Sequence, residues 1–224
     1  MLSVIVPTLN EAPVLAATLQ RARQPGVCEI IVIDGGSADQ TCAVAAALAD
    51  RVLSAPCGRA TQMNAGAAHA SGEVLLFLHA DTLVPEAFAD TVLTACGDPA
   101  VVGGRFDVHL QPSSPLLWLT GELMNRRSRL THIATGDQAI FVRRDVFERL
   151  GGYAPIPLME DIELCARLKR AGRIACLRQR VTTSSRRWRR HGVVRTILLM
   201  WALRALYFCG VSPAQLQRLY RHAR

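Results

Sequence analysis

The sequence predicts an α/β protein built on a mixed, mostly parallel sheet with helices on both faces and a helical C-terminal tail. Two observations support this fold class. Short apolar segments of strand length alternate with helical patterns through residues 1–100, which is typical of consecutive β-α-β units. The strand segments are also apolar almost throughout, as expected when both faces of a parallel strand are buried.

The strand segments contain many β-branched residues, which favour a strand over a helix. In chain order they are Leu2–Val6, Glu29–Ile33, Arg51–Ser54, Val74–Leu78, Val101–Phe106 and Ala139–Val142. Segments with a helical period separate the first five of them. These predicted helices are Ala12–Arg23, Gln40–Ala49, Ala60–Ala70 and Glu86–Cys96. Each of the first four strands is therefore followed by a helix that can connect it to a parallel strand.

Polar residues follow three of these strands directly. Pro7 to Glu11 follow the first strand, Asp34 to Asp39 the second, and His79 to Asp81 the fourth. Ligands of open parallel sheets bind beyond the carboxyl ends of the strands, and carboxylate oxygens are the ligands that Mg²⁺ and Mn²⁺ prefer. We therefore expect a ligand site with a divalent metal at this edge. Helix capping is the simpler role for each acid taken singly.

The length of 224 residues suits one large domain. The N-terminal segment lacks the basic region and the cleavage site of a signal peptide. The seven cysteines are odd in number and contain no C-x-x-C pair. They indicate buried free thiols rather than disulfides or a zinc site. These features predict a cytoplasmic protein.

The net charge of +8 is distributed unevenly along the chain. Residues 1–163 contain 11 Lys or Arg and 18 Asp or Glu, a balance of −7, whereas residues 164–224 contain 15 Lys or Arg and no acid. Such a basic segment attracts polyanions, which include nucleotide phosphates, an anionic membrane and nucleic acid. The alternative is a solvated surface that is merely rich in arginine.

An ordered set of motifs carries a resemblance to a known family. The motifs read VIVPTLNE, IVIDGGSADQT, GRATQMNAG and LFLHAD, followed by GDQAIFVRRDVFERLGGY, MEDIELCARLKRAG and SSRRW. Together they span about residues 1–190 and resemble the family 2 glycosyltransferases. That family has the GT-A fold and transfers sugars from nucleotide-sugar donors with inversion. The forms GR-x-x-QMNAG, GDQAIF and TSSRRW are more similar to one bacterial subgroup, the rSAM/selenodomain-associated transferases.

The resemblance implies a nucleotide site at the ends of the first strands. Asp34 would accept a hydrogen bond from the base, and Gly35 would let the backbone approach the ligand. Arg59 would meet a phosphate, while Asn64 would contact the donor or only fix its loop. A turn or helix cap is the alternative for Asp34. The residues implied after the first strand are Pro7, Thr8, Asn10 and Glu11.

The metal motif of the family, Asp-x-Asp, has the form His79-Ala80-Asp81 here. The resemblance places a metal, Mn²⁺ or Mg²⁺, on Asp81, with His79 as a second ligand and Ala80 beside the donor. A neutral imidazole suits Mn²⁺ better than Mg²⁺. The alternatives for His79 are a hydrogen bond to the donor and a structural hydrogen bond within the fold.

The segment EDIELCARLKRAG predicts a helix that ends at Gly172. The resemblance makes Asp161 the base that deprotonates the acceptor, and it places Glu160 in the donor site. It also implies that Asp137 contacts a sugar hydroxyl and that Gly103–Phe106 face the acceptor. From the residues alone, acids at this position could equally compensate the helix dipole.

The segment SSRRWRRHG combines four arginines with Trp188. The resemblance assigns Arg187 to the donor diphosphate and Trp188 to stacking on a sugar. The alternative is a basic loop in which the tryptophan only packs against the fold.

Residues 191–224 form the predicted tail. An apolar helix is expected over Val193–Val211, with Arg204 inside it. Because an arginine at the centre of a membrane helix costs about 2.5–3.5 kcal/mol on insertion scales, we expect this helix to pack on the domain or lie on a membrane. A short helix follows, with Ser212 as its N-cap.

The sequence thus predicts that residues 1–190 form a transferase domain. It would move a sugar, with a UDP-sugar favoured, to an acceptor that the sequence does not identify. The alternatives are a sugar-nucleotidyltransferase on a related fold and a basic membrane-binding module without enzymatic activity. We expect no nucleic-acid partner. The inner face of the membrane is a second predicted location beside the cytoplasm.

Overall fold

The computed structural model describes residues 1–222, without the side chains of Arg187, His191, Arg221 and His222. Within this range the chain forms one sheet of eight strands. The strands are β1 (Leu2–Thr8), β2 (Val27–Asp34), β3 (Arg51–Ser54), β4 (Val74–Phe77), β5 (Thr82–Leu83), β6 (Val101–Gln111), β7 (Ile140–Arg143) and β8 (Arg173–Ser184). The helices are α1 (Ala12–Ala22), α2 (Thr41–Leu48), α3 (Arg59–His69), α4 (Phe88–Gly97), α5 (Pro115–Thr131), α6 (Arg144–Arg149), α7 (Glu160–Ala171), α8 (Arg186–His191), α9 (Val193–Phe208) and α10 (Pro213–His222), with a 3-10 turn at Gly136–Gln138.

The strand order is β3-β2-β1-β4-β7-β6-β8-β5. The first four strands in this order run parallel. β7 is antiparallel to both of its neighbours, while β8 is parallel to β6 and antiparallel to β5. The predicted fold class is therefore confirmed. Because β1, β2 and β4 are parallel and adjacent, the polar segments that follow them emerge at one edge of the sheet.

Apolar side chains cover both faces of the sheet and hold its strands in place. Val4 and Ile30 point to the face that packs against α1 and α4. Their neighbours Ile5 and Ile31 point to the opposite face, which packs against α3, α6 and α7. This alternation is the normal geometry of strands that are buried on both sides. The ends of β1 and β2 are thus fixed by the core behind them.

The six predicted strands are present, and all but one end within two residues of the predicted bounds. The exception is β6, which continues to Gln111. The structure adds β5, α5, α6 and β8, which the sequence did not predict. The segment SSRRWRRHG, for which a basic loop was the alternative, forms α8. Arginine is a good helix former, so a cluster of arginines does not by itself indicate a loop.

The segment Gly103–Phe106, expected to face the acceptor, lies inside β6 instead. A Cβ on Gly104 would collide with the carbonyl oxygen of Ala175 in β8. Glycine therefore lets the two strands approach closely. The Arg105 side chain is buried and pairs with Asp107, so this segment serves the sheet and not a ligand.

The seven cysteines are free thiols. Cys96 and Cys165 are buried as predicted, but Cys42, Cys57 and Cys209 are exposed. The prediction of burial is therefore wrong for these three. Each of them lies in a loop or on the solvent side of a helix, where the core does not reach.

The tail packs against the start of α7. Leu203 of α9 and Leu216 of α10 form a buried cluster with Met159 and Ile162. Ser212 caps α10 as predicted, since its hydroxyl accepts a hydrogen bond of 3.4 Å from the Gln215 N–H. Among the helices within residues 1–222, none combines the length and the hydropathy needed to cross a membrane.

Candidate active site

A cavity of about 660 Å³ opens at the carboxyl ends of β1 and β4. This volume suits a ligand of nucleotide size, because small-molecule sites commonly enclose about 300–1,000 Å³. Its walls come from the loop after β1, the start of α3, the turn after β4 and the region of α8. The predicted site residues found in these walls are Pro7, Thr8, Asn10, Glu11, Arg59, His79, Ala80, Asp81, Asp137 and Trp188.

Hydrogen bonds hold the loop after β1 to the segment after β2. Asn10 has a φ of 55°, a left-handed conformation that asparagine tolerates. Its N–H donates to the Ser37 hydroxyl at 2.8 Å, and its side-chain oxygen accepts from the Ala38 N–H at 2.8 Å. The Glu11 carboxylate accepts from Arg186 at 2.9 Å. The wall formed by this loop is therefore fixed from both sides.

Asp34 points into its own turn and not into the cavity. Its carboxylate accepts hydrogen bonds from the N–H groups of Gly36 at 2.9 Å and Ser37 at 2.8 Å, and from the Ser37 hydroxyl at 2.5 Å. Burial acts to raise the pKa of Asp34, but these hydrogen bonds outweigh it and lower the pKa. These contacts support the alternative role of Asp34, which is to shape the turn, and its predicted contact with the base stays a prediction.

Gln62 lies beside Gly35. Its amide N–H groups donate to the carbonyl oxygens of Thr8 and Ile33, both at 2.8 Å. A Cβ on Gly35 would stand 3.1 Å from the same amide, so this glycine makes room for Gln62, and its predicted close approach to a ligand stays a prediction. Gln62 lines the cavity and was missed in the sequence. The available signal was its position one helical turn after Arg59.

Asn64 is not among the described wall residues of the cavity. Its side-chain amide forms two hydrogen bonds of 2.8 Å with the backbone N–H and carbonyl oxygen of Tyr153. These bonds connect α3 to the loop between α6 and α7. These bonds support the alternative role of Asn64 in fixing its loop, and its predicted donor contact stays a prediction.

His79 is held by two residues of the 3-10 turn. Its Nδ1 lies 3.2 Å from a carboxylate oxygen of Asp137, and a Cβ on Gly136 would collide with its Nε2. Both nitrogens of the ring are therefore engaged or closely packed. These contacts suit a structural role, but a histidine that binds a metal through one nitrogen also commonly donates to a carboxylate through the other. Because His79 lines the cavity, its predicted role as a metal ligand stays a prediction. The contact with His79 also ties Asp137 to the turn after β4.

Asp81 of the same motif also stays a candidate metal ligand. It lines the cavity, and its charge contributes, after the hydrogen bond from Arg186 to Glu11, to the raised pKa of Arg186. Among the described residues, no three His, Cys, Asp or Glu side chains converge into a metal site. A single carboxylate nevertheless fits Mg²⁺ or Mn²⁺ where a ligand supplies phosphate oxygens and water completes the shell.

A second cavity, of about 290 Å³, adjoins the first. Arg59 lies in the walls of both. Glu160 and Asp161, at the start of α7, line the second cavity from the domain side, and Arg204 and Tyr220 line it from the tail. The predicted base therefore faces a space that α9 and α10 help to enclose. Nothing in the sequence motifs indicated this role of the tail.

Backbone groups orient the Asp161 carboxylate. The N–H groups of Gly136 and Ile162 donate to it at 3.0 and 2.7 Å. Burial raises the pKa of Asp161 in spite of these bonds. Burial, together with the charge of Asp161, also raises the pKa of Glu160. A raised pKa makes a carboxylate a stronger proton acceptor, so the surroundings of Asp161 are suitable for a base.

Arg59 stands between the two cavities. Desolvation acts to lower its pKa, but the negative charges of Glu160, Asp137 and Asp161 outweigh it, and the pKa is raised. The guanidinium is therefore held as a cation within reach of groups in both spaces. The predicted phosphate contact of Arg59 is compatible with this position.

Two arginines of α8 face the first cavity. Arg186 and Arg190 are one helical turn apart and line it together with Trp188. Trp188 also packs against the core. The side chain of Arg187 lies outside the described residues, so its predicted diphosphate contact stays a prediction. Arg186 and Arg190 were missed in the sequence because the resemblance assigned only Arg187 and Trp188 to the donor.

The sequence profile described as Glycosyl transferase family 2 matches residues 3–151. The chain belongs to this family. The resemblance predicted from the motifs is thereby confirmed at the level of the family. The matched region contains the loop after β1, α3 and the turn with Asp81, but it ends before α7, so Asp161 lies beyond it.

Curated relatives of this family 2 chain include the PGL/p-HBAD biosynthesis glycosyltransferases of Mycobacterium bovis and Mycobacterium tuberculosis. They are 34% identical to it over 165 residues. The match covers 68% of this chain and 63% of the relatives' length. The chain thus corresponds to less than two thirds of these proteins.

Two solved structures show the same fold. The TarS 1–349 fragment of S. aureus in complex with UDP has a TM-score of 0.66 at 17% identity, with 82% of this chain and 60% of the fragment covered. The mannosyltransferase PcManGT of Pyrobaculum calidifontis, in complex with GDP-Man and Mn²⁺, has a TM-score of 0.60 at 25% identity. That similarity covers 81% of this chain and 56% of PcManGT.

Proposed function

We propose that this family 2 glycosyltransferase moves a sugar, with inversion, from a nucleotide-sugar donor to an acceptor hydroxyl. One observation carries the proposal. A cavity of nucleotide size adjoins a second cavity that contains a buried carboxylate, and Arg59 lies between them. A transferase needs these two spaces, one for the donor and one for the acceptor, to meet at the reacting carbon.

The donor would occupy the first cavity. Arg186 and Arg190 of α8 line it and are suited to the charge of a diphosphate. Asp81 would hold a divalent cation, Mn²⁺ or Mg²⁺, which when bound neutralises negative charge on the leaving diphosphate. The relatives support this choice of donor, since TarS binds UDP and PcManGT binds GDP-Man and Mn²⁺. We favour a UDP-sugar.

The acceptor would enter the second cavity. Its hydroxyl proton passes to Asp161, its oxygen forms a bond to C1 of the sugar, and the bond from C1 to the diphosphate oxygen breaks. The nucleoside diphosphate leaves on the opposite face of the sugar, so the configuration at C1 inverts. The raised pKa of Asp161 supports its role as the proton acceptor. His79 and Asp137 would shape the wall beside the sugar.

Binding and turnover of nucleotide sugars test this proposal. Thermal unfolding of the chain with UDP-, GDP- and dTDP-sugars, with and without Mn²⁺, should show a metal-dependent rise in melting temperature for one donor, because a bound ligand stabilises the folded state by mass action. The same donor should release its nucleoside diphosphate. Release of pyrophosphate from a nucleoside triphosphate and a sugar phosphate would identify a nucleotidyltransferase instead. No stabilisation and no turnover with any donor would contradict an enzymatic role.

A further inference from the structure

α5 exposes an apolar row to solvent, whereas an ordinary surface helix exposes its polar face. The buried side carries Asn125, whose side chain hydrogen-bonds to the Val108 backbone in β6 at 2.8 and 3.0 Å. The opposite side carries a row of exposed leucines with helical spacing. They are Leu116, Leu119, Leu123 and Leu130.

α9 also exposes apolar residues on the side that faces away from the domain. Trp201 is 65% exposed and Phe208 is 70% exposed. Val194 and Leu198 continue the same row towards the start of the helix and are exposed as well. Exposed apolar rows on two helices form a patch of the kind that marks an interaction site.

Two contacts link the surroundings of these helices. Ser185, the residue before α8, donates hydrogen bonds of 2.8 Å to the carbonyl oxygens of Gln111 and Pro112, which precede α5. Beyond the end of α5, Ile133 packs against the cluster that contains Leu203 of α9. We name the exposed apolar rows of α5 and α9 together the α5–α9 surface.

Basic residues surround this surface. Arg126 lies between the leucines of α5, Arg189 lies in α8, and Arg195 lies in the first turn of α9; all three are exposed. The acid of α5, Glu122, is paired with Arg180 at 2.6 Å, and the chain contains no acid after Glu163. A row of apolar residues bordered by arginines is complementary to a bilayer with anionic headgroups.

We propose that the α5–α9 surface docks the protein on an anionic lipid bilayer, with the leucines, Trp201 and Phe208 in the interface and the arginines at the headgroups. A second copy of the chain fits less well. A symmetric contact brings the same patch of each copy together, so the arginines would face one another. The inference does not depend on the proposed transfer reaction.

Vesicle flotation tests the proposal with a matched pair of variants. Leu123→Glu changes the α5–α9 surface, and Leu219→Glu makes the same change on α10, where the leucine is 48% exposed against 49% for Leu123. The wild type should bind vesicles of phosphatidylglycerol and phosphatidylcholine more tightly than pure phosphatidylcholine. Leu123→Glu should weaken this binding on the order of 10-fold or more, and Leu219→Glu should leave it within about 2-fold.

Thermal melts establish whether each variant folds. If Leu123→Glu does not fold, Trp201→Glu repeats the test on α9. Raising the salt concentration should reduce binding to the anionic vesicles, because the arginine contribution is screened. Equal binding by the wild type and Leu123→Glu would overturn the proposal. The proposal would also be overturned if the wild type bound neither kind of vesicle and was a dimer in light scattering, while Leu123→Glu was a monomer. The partner of the α5–α9 surface would then be a second copy of the chain.

Discussion

Asp161 and Asp34 show how the same side chain acquires different properties from its partners. Both accept hydrogen bonds from backbone N–H groups. At Asp34 the hydrogen bonds outweigh burial and the pKa is lowered, whereas at Asp161 burial outweighs the hydrogen bonds and the pKa is raised. The first carboxylate is thus held ionised as part of a turn, and the second is prepared to take up a proton.

Replacing Asp161 with asparagine should leave the fold and donor binding intact and lower the release of nucleoside diphosphate about 10²–10⁴-fold. In the wild type, activity should fall in acid at a pH above the ordinary aspartate pKa of about 3.9, because only the deprotonated Asp161 accepts a proton and its pKa is raised. Turnover across pH and calorimetric titration of the donor check both parts. Wild-type turnover in the variant would remove Asp161 from the mechanism.

Replacing Asp34 with alanine should lower the free energy of unfolding at pH 7 by about 2–3 kcal/mol, because charge-assisted hydrogen bonds to the turn are lost. Since folding lowers the pKa of Asp34, its contribution is present above the unfolded pKa and is lost as the pH falls below about 4. Urea unfolding at pH 7 and pH 3 should therefore show that the difference in free energy of unfolding between the wild type and Asp34→Ala becomes smaller in acid. The exposed Asp90→Ala serves as the control. If Asp34→Ala lost affinity for UDP while its stability was unchanged, the result would support the predicted contact between Asp34 and the base.

At the scale of elements, α8 determines which arginines meet the donor. Helical spacing places Arg186 and Arg190 in the wall of the first cavity, while Arg189 is exposed and is not among the described wall residues. Arg186 is already engaged by Glu11 at 2.9 Å. Arg190 is therefore the better probe of contact with the donor.

Arg190→Ala should weaken donor binding about 10-fold, the size expected for one hydrogen bond between charged groups. Arg189→Ala removes the same charge from the neighbouring position and should change donor affinity less than about 2-fold at 0.15 M salt, where distant charges are screened. Calorimetric titration of UDP onto both variants compares them directly. Equal losses would mean that the helix acts through its overall charge and not through contact.

The elements that the sequence predicted are those in which the order of apolar and polar residues matches the burial of the element. Strands such as β1 and β2 are buried on both faces and are therefore apolar throughout. α5 was missed because it buries Asn125 and exposes several leucines, and only the distant Val108 explains why. β8 was missed because none of its first eight residues is buried and three of them are arginines. In the same way, the motifs located the loops of the site, but the orientation of His79 depends on the distant Asp137, which no local pattern shows.

At the scale of the whole molecule, the tail and the catalytic face are joined by one small cluster. The chain is acidic up to Glu163 and basic beyond it, yet the two parts meet in apolar contacts. Leu203 and Leu216 of the tail pack on Met159 and Ile162, the residues on either side of Glu160 and Asp161. The proposed boundary at residues 190 and 191 would then separate two segments that unfold together, and the tail would stabilise the position of the base.

Two leucines of α10 test this coupling because they differ only in burial. Leu216 is fully buried and Leu219 is 48% exposed. Leu216→Ala should lower the free energy of unfolding by about 2–4 kcal/mol through loss of packing and the cavity that remains, whereas Leu219→Ala should cost less than about 0.5 kcal/mol. If the tail and the domain are one cooperative unit, Leu216→Ala shifts a single transition in urea and also slows turnover, because the start of α7 loosens. In Leu216→Ala, the main unfolding transition could instead stay at the same urea concentration while a small transition appears at a lower one. The tail would then unfold by itself, and the domain would hold Asp161 without it.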